Sequence, residues 1–312
     1  MEIKELKGRG TRFATGGYVL KILFIIGLAL LFLIPLTMVR QIVLERQARS
    51  QEAEREIMAA WGGRQTIAGP FIAVPYTIVT RENTEKGEIV RESDSWFYLT
   101  PEKLDVEAGI LSETRVRGIY EIPVYQGDIL LSGRFGAPAV PPLPAGTKEI
   151  RWAEARLVVE LPETRSVMTG TRLIWNGREL DLMSGIGVLG LFDSSLQGAL
   201  SPGWERKDGN LFSLTLKLRG AGSVSFIPFG KETDVRLASD WHSPSFNGAF
   251  LPSERELEEG NGFSAVWSIH ALARSFPLSW KAGDLDRSKI HDSAFGVNLF
   301  EPVGLYAGVE RA

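Results

Sequence analysis

Asp240, His242 and Ser243 stand within four consecutive positions of a chain that has only three histidines. They are the residue types that serve as orienter, general base and nucleophile in hydrolases of the acyl-transfer kind. On a strand, Asp240 and His242 would share one face, as side chains two apart do. Geometry rather than adjacency defines a triad, and the same residues also make an ordinary hydrogen-bonded strand end or loop. His270 and His291 complete the histidines. None of the three has a second His or a paired acid at ligand spacing, so no metal site is expected. Gly185-Ile186-Gly187-Val188-Leu189-Gly190 spells the dinucleotide fingerprint. Lacking a buried strand before it and a βαβ context, it reads as a glycine-rich bend, and no cofactor is expected. Glu254, Glu256, Glu258 and Glu259 read as a solvated loop or helix face, and no acid and base pair stands out.

The most distinctive stretch is Trp241 to Pro252, in which Trp241, Phe246, Phe250 and Leu251 are spaced by Pro, Ser, Asn and Gly. One reading has these residues plug the core or a sheet edge, as large apolar side chains usually do. The other makes them an interaction loop that presents aromatics to a partner or lipid. Phe250, in a stretch poor in polar atoms, is expected to pack. Phe246, between Ser245 and Asn247, is expected to be the more exposed.

The elements that would carry these residues begin with an apolar run from Tyr18 to Val39, broken only by Lys21. Ile22 to Val39 is 18 residues without a charge, about 27 Å of helix, which matches the hydrocarbon thickness of a bilayer. No small-residue cleavage site follows, so this is expected to be an uncleaved transmembrane helix rather than a signal peptide. Lys4, Lys7, Arg9, Arg12 and Lys21 on one flank against Arg40, Arg46, Arg49 and Arg55 on the other lean towards a cytoplasmic N-terminus. Helical spacing then continues: Ala53, Ile57, Ala60 and Trp61 form one stripe, Glu45 and Arg49 sit at i,i+4, and Gly62-Gly63 supplies a stop. The stripe would dock this stalk on the following domain.

Beyond Gly63 the period changes to two. Leu104, Val106, Ala108 and Ile110 share a parity, as do Ile129, Leu131 and Phe135, and as do Phe263, Ala265, Trp267 and Ile269. The clearest run places Phe212, Leu214, Leu216 and Leu218 on one face. Such alternation marks half-buried strands. Residues 211–219, 223–228 and 233–238 are predicted to form a consecutive antiparallel meander. The fold class is mainly β: an N-terminal transmembrane helix and stalk, then an extended antiparallel sheet or sandwich-like extracytoplasmic domain of two lobes. The expected organisation is a cytoplasmic tail (1–17), the membrane helix (18–39), the stalk (40–62), one β lobe (63–136), a proline-rich linker (137–147) and a second β lobe (148–312). The linker carries four prolines in the eleven residues from Gly136 to Gly146, and a long crossover within one sheet system would explain it equally well.

Composition sets the outer bounds. The 312 residues are 44% hydrophobic, ample for a packed core. Lys and Arg number 35 against 38 Asp and Glu, a net charge of -3 that attracts no nucleic acid. Cysteine is absent, which removes disulfides, thiolate metal sites and Cys nucleophiles.

Short segments spread along the chain resemble one known family. They run from Leu33-Ile34-Pro35-Leu36 with Met38-Val39-Arg40, through Ala68-Gly69-Pro70 with Val74-Pro75-Tyr76, to Ser243-Pro244-Ser245-Phe246-Asn247-Gly248 with Phe250-Leu251-Pro252. Gly262-Phe263-Ser264-Ala265-Val266-Trp267, Phe295-Gly296-Val297 and Glu301-Pro302-Val303 follow. In this order they resemble the CreD family of inner-membrane, cell envelope integrity proteins. The resemblance implies a bacterial inner-membrane protein with its N-terminus in the cytoplasm and its β domain in the periplasm. It also implies a link to envelope stress, regulation by a two-component system and tolerance to envelope-directed agents. Family members continue into several more transmembrane helices past the position of Arg311-Ala312, where this sequence stops. No catalytic or ligand residue comes with the resemblance. The expected function is a non-enzymatic membrane-anchored periplasmic β domain whose partners are the lipid bilayer and an envelope protein, lipid or cell-wall component. The alternatives are an envelope hydrolase using Asp240, His242 and Ser243, or a receptor-type ectodomain.

Overall fold

The structure, a computed structural model, describes residues 15–84, 87–258 and 262–299. Most of the tail, Glu259 and Glu301-Pro302-Val303 lie outside them. Two compact units are present, one ending at Arg55 and one beginning at Glu56.

The first unit is built from one continuous helix, α1 (Thr15–Trp61), whose last turns belong to the second unit. Membrane segment and stalk are thus one element, and it is long and apolar enough to cross a membrane. The large apolar side chains from Ile22 to Leu44 are exposed. In water that surface would be costly, and a bilayer removes the cost. Pro35 lies inside the helix and takes one N–H from its ladder. Two residues on, the Thr37 hydroxyl donates to the Ile34 carbonyl at 2.8 Å. The anticipated Glu45 and Arg49 pair forms at 2.7 Å.

The second unit is β-rich. In chain order its strands are β1 (Gln65–Thr84), β2 (Gly87–Leu99), β3 (Lys103–Arg117), β4 (Tyr120–Phe135), β5 (Thr147–Ile150) and β6 (Arg156–Leu161). There follow β7 (Arg172–Trp175), β8 (Arg178–Leu180), β9 (Leu182–Ile186), β10 (Ser194–Ala199), β11 (Asn210–Ala221) and β12 (Ser223–Phe226). The last are β13 (Glu232–Ser239), β14 (Ser245–Gly248), β15 (Glu254–Glu258), β16 (Gly262–His270), β17 (Ser279–Lys281) and β18 (Phe295–Asn298), with a short helix α2 (Arg287–His291) before β18. Among the described residues they form two sheets. One, of ten strands, has the path β14-β18-β12-β1-β6-β10-β9, with β2 and β5 attached at β1 and β17 attached at β2. The other, of eight, runs β15-β16-β13-β3-β4-β11-β7-β8. Pairing is mainly antiparallel, with parallel contacts at β1 with β12 and at β13 with β3.

Period-two alternation decides which face of each strand is buried. Leu104, Val106, Ala108 and Ile110 of β3 and Phe212, Leu214, Leu216 and Leu218 of β11 all enter the core, as their parity requires. They meet β1, β6 and β18 of the ten-stranded sheet in a single hydrophobic cluster, so the sheets pack as a sandwich. Tyr125 of β4 spans the layers, its buried hydroxyl donating to the Ser223 carbonyl of β12 at 2.8 Å.

One expectation is corrected here. Strands form at 211–219, 223–226 and 233–238, but they are not a meander. β11 pairs with β4 and β7, β12 crosses to the other sheet, and β13 pairs with β16 and β3. Alternation states which face is buried and carries no information on the lateral neighbour. Both sheets draw strands from either side of the proline-rich segment 137–147.

Gly62 ends α1 at a φ of 115°, where an added Cβ would stand 2.8 Å from the Arg219 carbonyl oxygen. Just before it, the Trp61 indole N–H donates to the Tyr125 carbonyl at 3.3 Å, and the guanidinium groups of Arg115 and Arg219 lie 4.3 and 5.0 Å from its ring. These contacts fix the last turn of the helix to β3, β4 and β11.

Candidate functional site

The outer face of the eight-stranded sheet is where the fold makes a concave surface. Register places Ser264 of β16, Ala238 of β13, Gly109 of β3, Asp128 of β4 and Lys217 of β11 in one row across five strands. Three adjacent members of that row are small, so that part of the row is a trench, roughly 10 Å long at about 4.8 Å per strand. Its walls are the neighbouring rows. Val266, Arg236, Glu107, Leu130 and Thr215 stand on one side, and Leu111 and Gln126 on the other. One end is closed by an ion pair of Lys217 with Asp128 at 3.0 Å, and at the other Glu256 of β15 lies beside Ser264. Two concavities of about 550 and 680 Å³ open here and share Gly109, Asp128, Lys217, Ala238 and Ser264. A third, of about 490 Å³, lies further along the same face around Ser132, Ile174 and Ser213. The lining mixes apolar side chains with both signs of charge. Such a surface suits a ligand that offers apolar contact with a few hydrogen-bonding groups.

The Trp241 to Pro252 segment is a strap between the sheets. It leaves β13 in one sheet, pairs as β14 with β18 at the edge of the other, and returns to the first as β15. Phe246 is half-buried, its ring edge-on to Phe263 at 5.6 Å and to Trp267 at 5.8 Å. Phe250 meets Phe295 edge-on at 5.9 Å, and its carbonyl accepts the Trp267 indole N–H at 3.2 Å. Trp241, Phe246 and Phe250 all pack on the core. Phe246 and Phe250 are both half-buried. Leu251 is the one of the four that projects, 72% exposed.

Asp240, His242 and Ser243 lie in the loop just past the end of β13, not on a strand. The Asp240 carboxylate accepts the backbone N–H of Ser112 at 2.7 Å, and the Ser243 carbonyl accepts the Trp241 indole N–H at 3.0 Å. Asp240 borders the trench, whereas His242 and Ser243 do not line it. The acidic run expected on a loop or helix face forms the edge strand β15, with Glu259 outside the described residues.

The glycine-rich segment does hold an anion, and the anion is the chain's own. Glu160 of β6 is fully buried, and its carboxylate accepts four consecutive backbone N–H groups. Leu189 and Gly190 donate to Oε1, and Leu191 and Phe192 donate to Oε2. Successive amides converging on one point form an anion-binding nest. Gly187 is required because a Cβ there would collide with the Phe192 carbonyl and approach Glu160 Oε1. The Tyr98 hydroxyl donates to the Val188 carbonyl at 3.0 Å, and burial, with the nearby Glu160 charge, pushes its pKa up to about 12.

The family model described as "Inner membrane protein CreD" matches residues 17–312. The chain belongs to the CreD family. It is 29% identical over 295 residues to Inner membrane protein CreD of Escherichia coli (strain K12), an alignment covering 94% of this chain and 64% of that protein. The chain thus spans less than two thirds of the length of the curated relative it matches.

Several of the segments that resemble CreD lie in the sandwich. Ala68-Gly69-Pro70 lies at a register shift between β1 and β6, where Gly69 takes a φ of 133° and an added Cβ would stand 2.8 Å from the Val158 carbonyl oxygen. Ser245 to Gly248 is β14 and Gly262 to Trp267 belongs to β16. Phe295 to Val297 belongs to β18 and meets β16 in the core through Phe295 and Trp267, 5.6 Å apart. Sequence reasoning did not single out Gly109, Ala238 or Ser264. Each is bland by itself, and only the shared outward parity of three strands hinted at a bare row.

Proposed function

We propose that this chain is a membrane-tethered envelope-integrity protein of the CreD family, with its N-terminus in the cytoplasm and its β domain in the periplasm. In this reading the domain acts by binding, without catalysis, and the trench on the outer face of the eight-stranded sheet receives an envelope component. The observation that carries the reading is the bare row Ser264, Ala238 and Gly109, which joins two concavities into one surface. A solvated sheet face with no binding role would ordinarily carry long polar side chains at those positions. The apolar helix supports the tether, and the family supports the inner membrane. The test places a photoreactive residue at Gly109, where an added Cβ meets only the Asp128 carbonyl oxygen at 3.9 Å. In cells it should crosslink an envelope molecule. Ala238→Trp, which fills the trench from an exposed position, should abolish that crosslink and envelope protection while leaving the melting temperature unchanged. A Gly109 probe that captures nothing, or full protection in the Ala238→Trp variant, would sink the proposal.

A further inference from the structure

Among the described residues six strands have a neighbour on one side only: β5, β8, β9, β14, β15 and β17. Free strand edges invite pairing, and proteins blunt them with charge, proline, brevity or bulges. Five of the six are blunted. β5 carries Lys148 and Glu149, β8 is three residues with Arg178 and Glu179, β17 is three residues ending in Lys281, and β14 is four residues starting directly after Pro244. β15 holds Glu254 and Glu256, which would repel a copy of themselves. β9 has none of these devices. It pairs with β10 over five residues without a register shift, and it opens an uncharged run of eleven residues from Leu182 to Phe192. Met183 is 56% exposed on it and Ile186 82% exposed.

We propose that the chain pairs with a second copy of itself through β9, edge to edge and antiparallel, about a twofold axis at Ser184. The strand is self-complementary in that arrangement. Ser184 faces Ser184, Leu182 of each copy faces Ile186 of the other, and Met183 faces Gly185, over which the Gln197 side chain lies, so apolar meets apolar along the Leu182 and Ile186 face. No charge is desolvated on either side, which the charged edges cannot offer. Gly185 is already required for packing, since a Cβ there would stand 2.6 Å from the Gln197 amide nitrogen.

The native chain contains no cysteine, so one introduced residue reports without background. Directly opposed residues of an antiparallel pair lie about 4.5–5.5 Å apart at Cα, within disulfide reach. Ser184→Cys in the full chain, oxidised in native membranes, should give a disulfide-linked species of twice the chain mass. Glu256→Cys on β15 should give none, and Ile186→Lys added to Ser184→Cys should reduce the yield at least tenfold with the melting temperature unchanged. A Ser184→Cys chain that stays monomeric, crosslinks equally at Glu256→Cys, or joins a protein of another mass would overturn the proposal.

Discussion

Phe246 and Trp267 meet edge to face across the sandwich, ring centroids 5.8 Å apart at 70°, although one belongs to the ten-stranded sheet and the other to the eight-stranded sheet. The contact makes the distinctive aromatic segment a clasp between layers. Phe246→Ala is therefore expected to lower stability by about 2 to 4 kcal/mol, somewhat under the cost of a fully buried Phe because the ring is half-exposed. Phe250→Ala should behave alike, and Leu251→Ala should be nearly neutral. Chemical unfolding of the three variants is the measurement. A neutral Phe246→Ala with lost envelope protection would restore the interaction-loop reading.

Glu160 and the loop after Gly187 are a second relationship with a measurable cost. Glu160→Gln keeps the shape but turns an amide NH₂ towards N–H donors, leaving at least one buried donor without an acceptor. A loss of about 2 to 4 kcal/mol is expected. Glu160→Asp, which keeps the charge on a shorter stem, should fall between the two. Stability of the Gln variant within about 0.5 kcal/mol of the parent would mean that the loop is held by other contacts.

Topology is testable with the same cysteine-free background. A cysteine at Ser213, on the outer face of β11, should react with an impermeant thiol reagent added to cells whose outer membrane has been made permeable. A cysteine at Lys4 should react only after lysis. The reverse pattern would place the β domain in the cytoplasm.

Asp94 supplies a pH dependence. A hydrogen bond from the Arg151 guanidinium, first, and another from the Thr77 hydroxyl at 3.1 Å hold its carboxyl below the usual carboxylate range. A depressed folded-state pKa contributes stability that is present above the unfolded value, about pH 4, and is lost as pH falls through the lowered one. Asp94→Asn should therefore melt below the parent at neutral pH, and the gap should close as pH drops under about 4. A gap that stays constant with pH would show that the carboxylate charge contributes nothing.

The apolar helix, its helical continuation to Trp61, the mainly β character of the rest and the buried parity of β3, β11 and β16 were all legible in the sequence. Each depends on a residue's own chain neighbours, because helical and strand periods are local properties that burial merely reads out. What local order cannot state is who lies beside whom. The meander expected at 211–238 scattered into two sheets because strand partners are chosen by long-range packing. The glycine-rich segment proved to lead into an anion nest, Leu189 to Phe192, only once Glu160, about thirty residues earlier, was seen to fill it. The trench and the bare edge at β9 belong to the same class. Ser264, Ala238 and Gly109 become a surface through lateral register alone, and β9 becomes an edge only because the sheet ends there. Chain composition and local period therefore determined the membrane segment and the buried faces, while tertiary pairing decided every surface on which this protein could act.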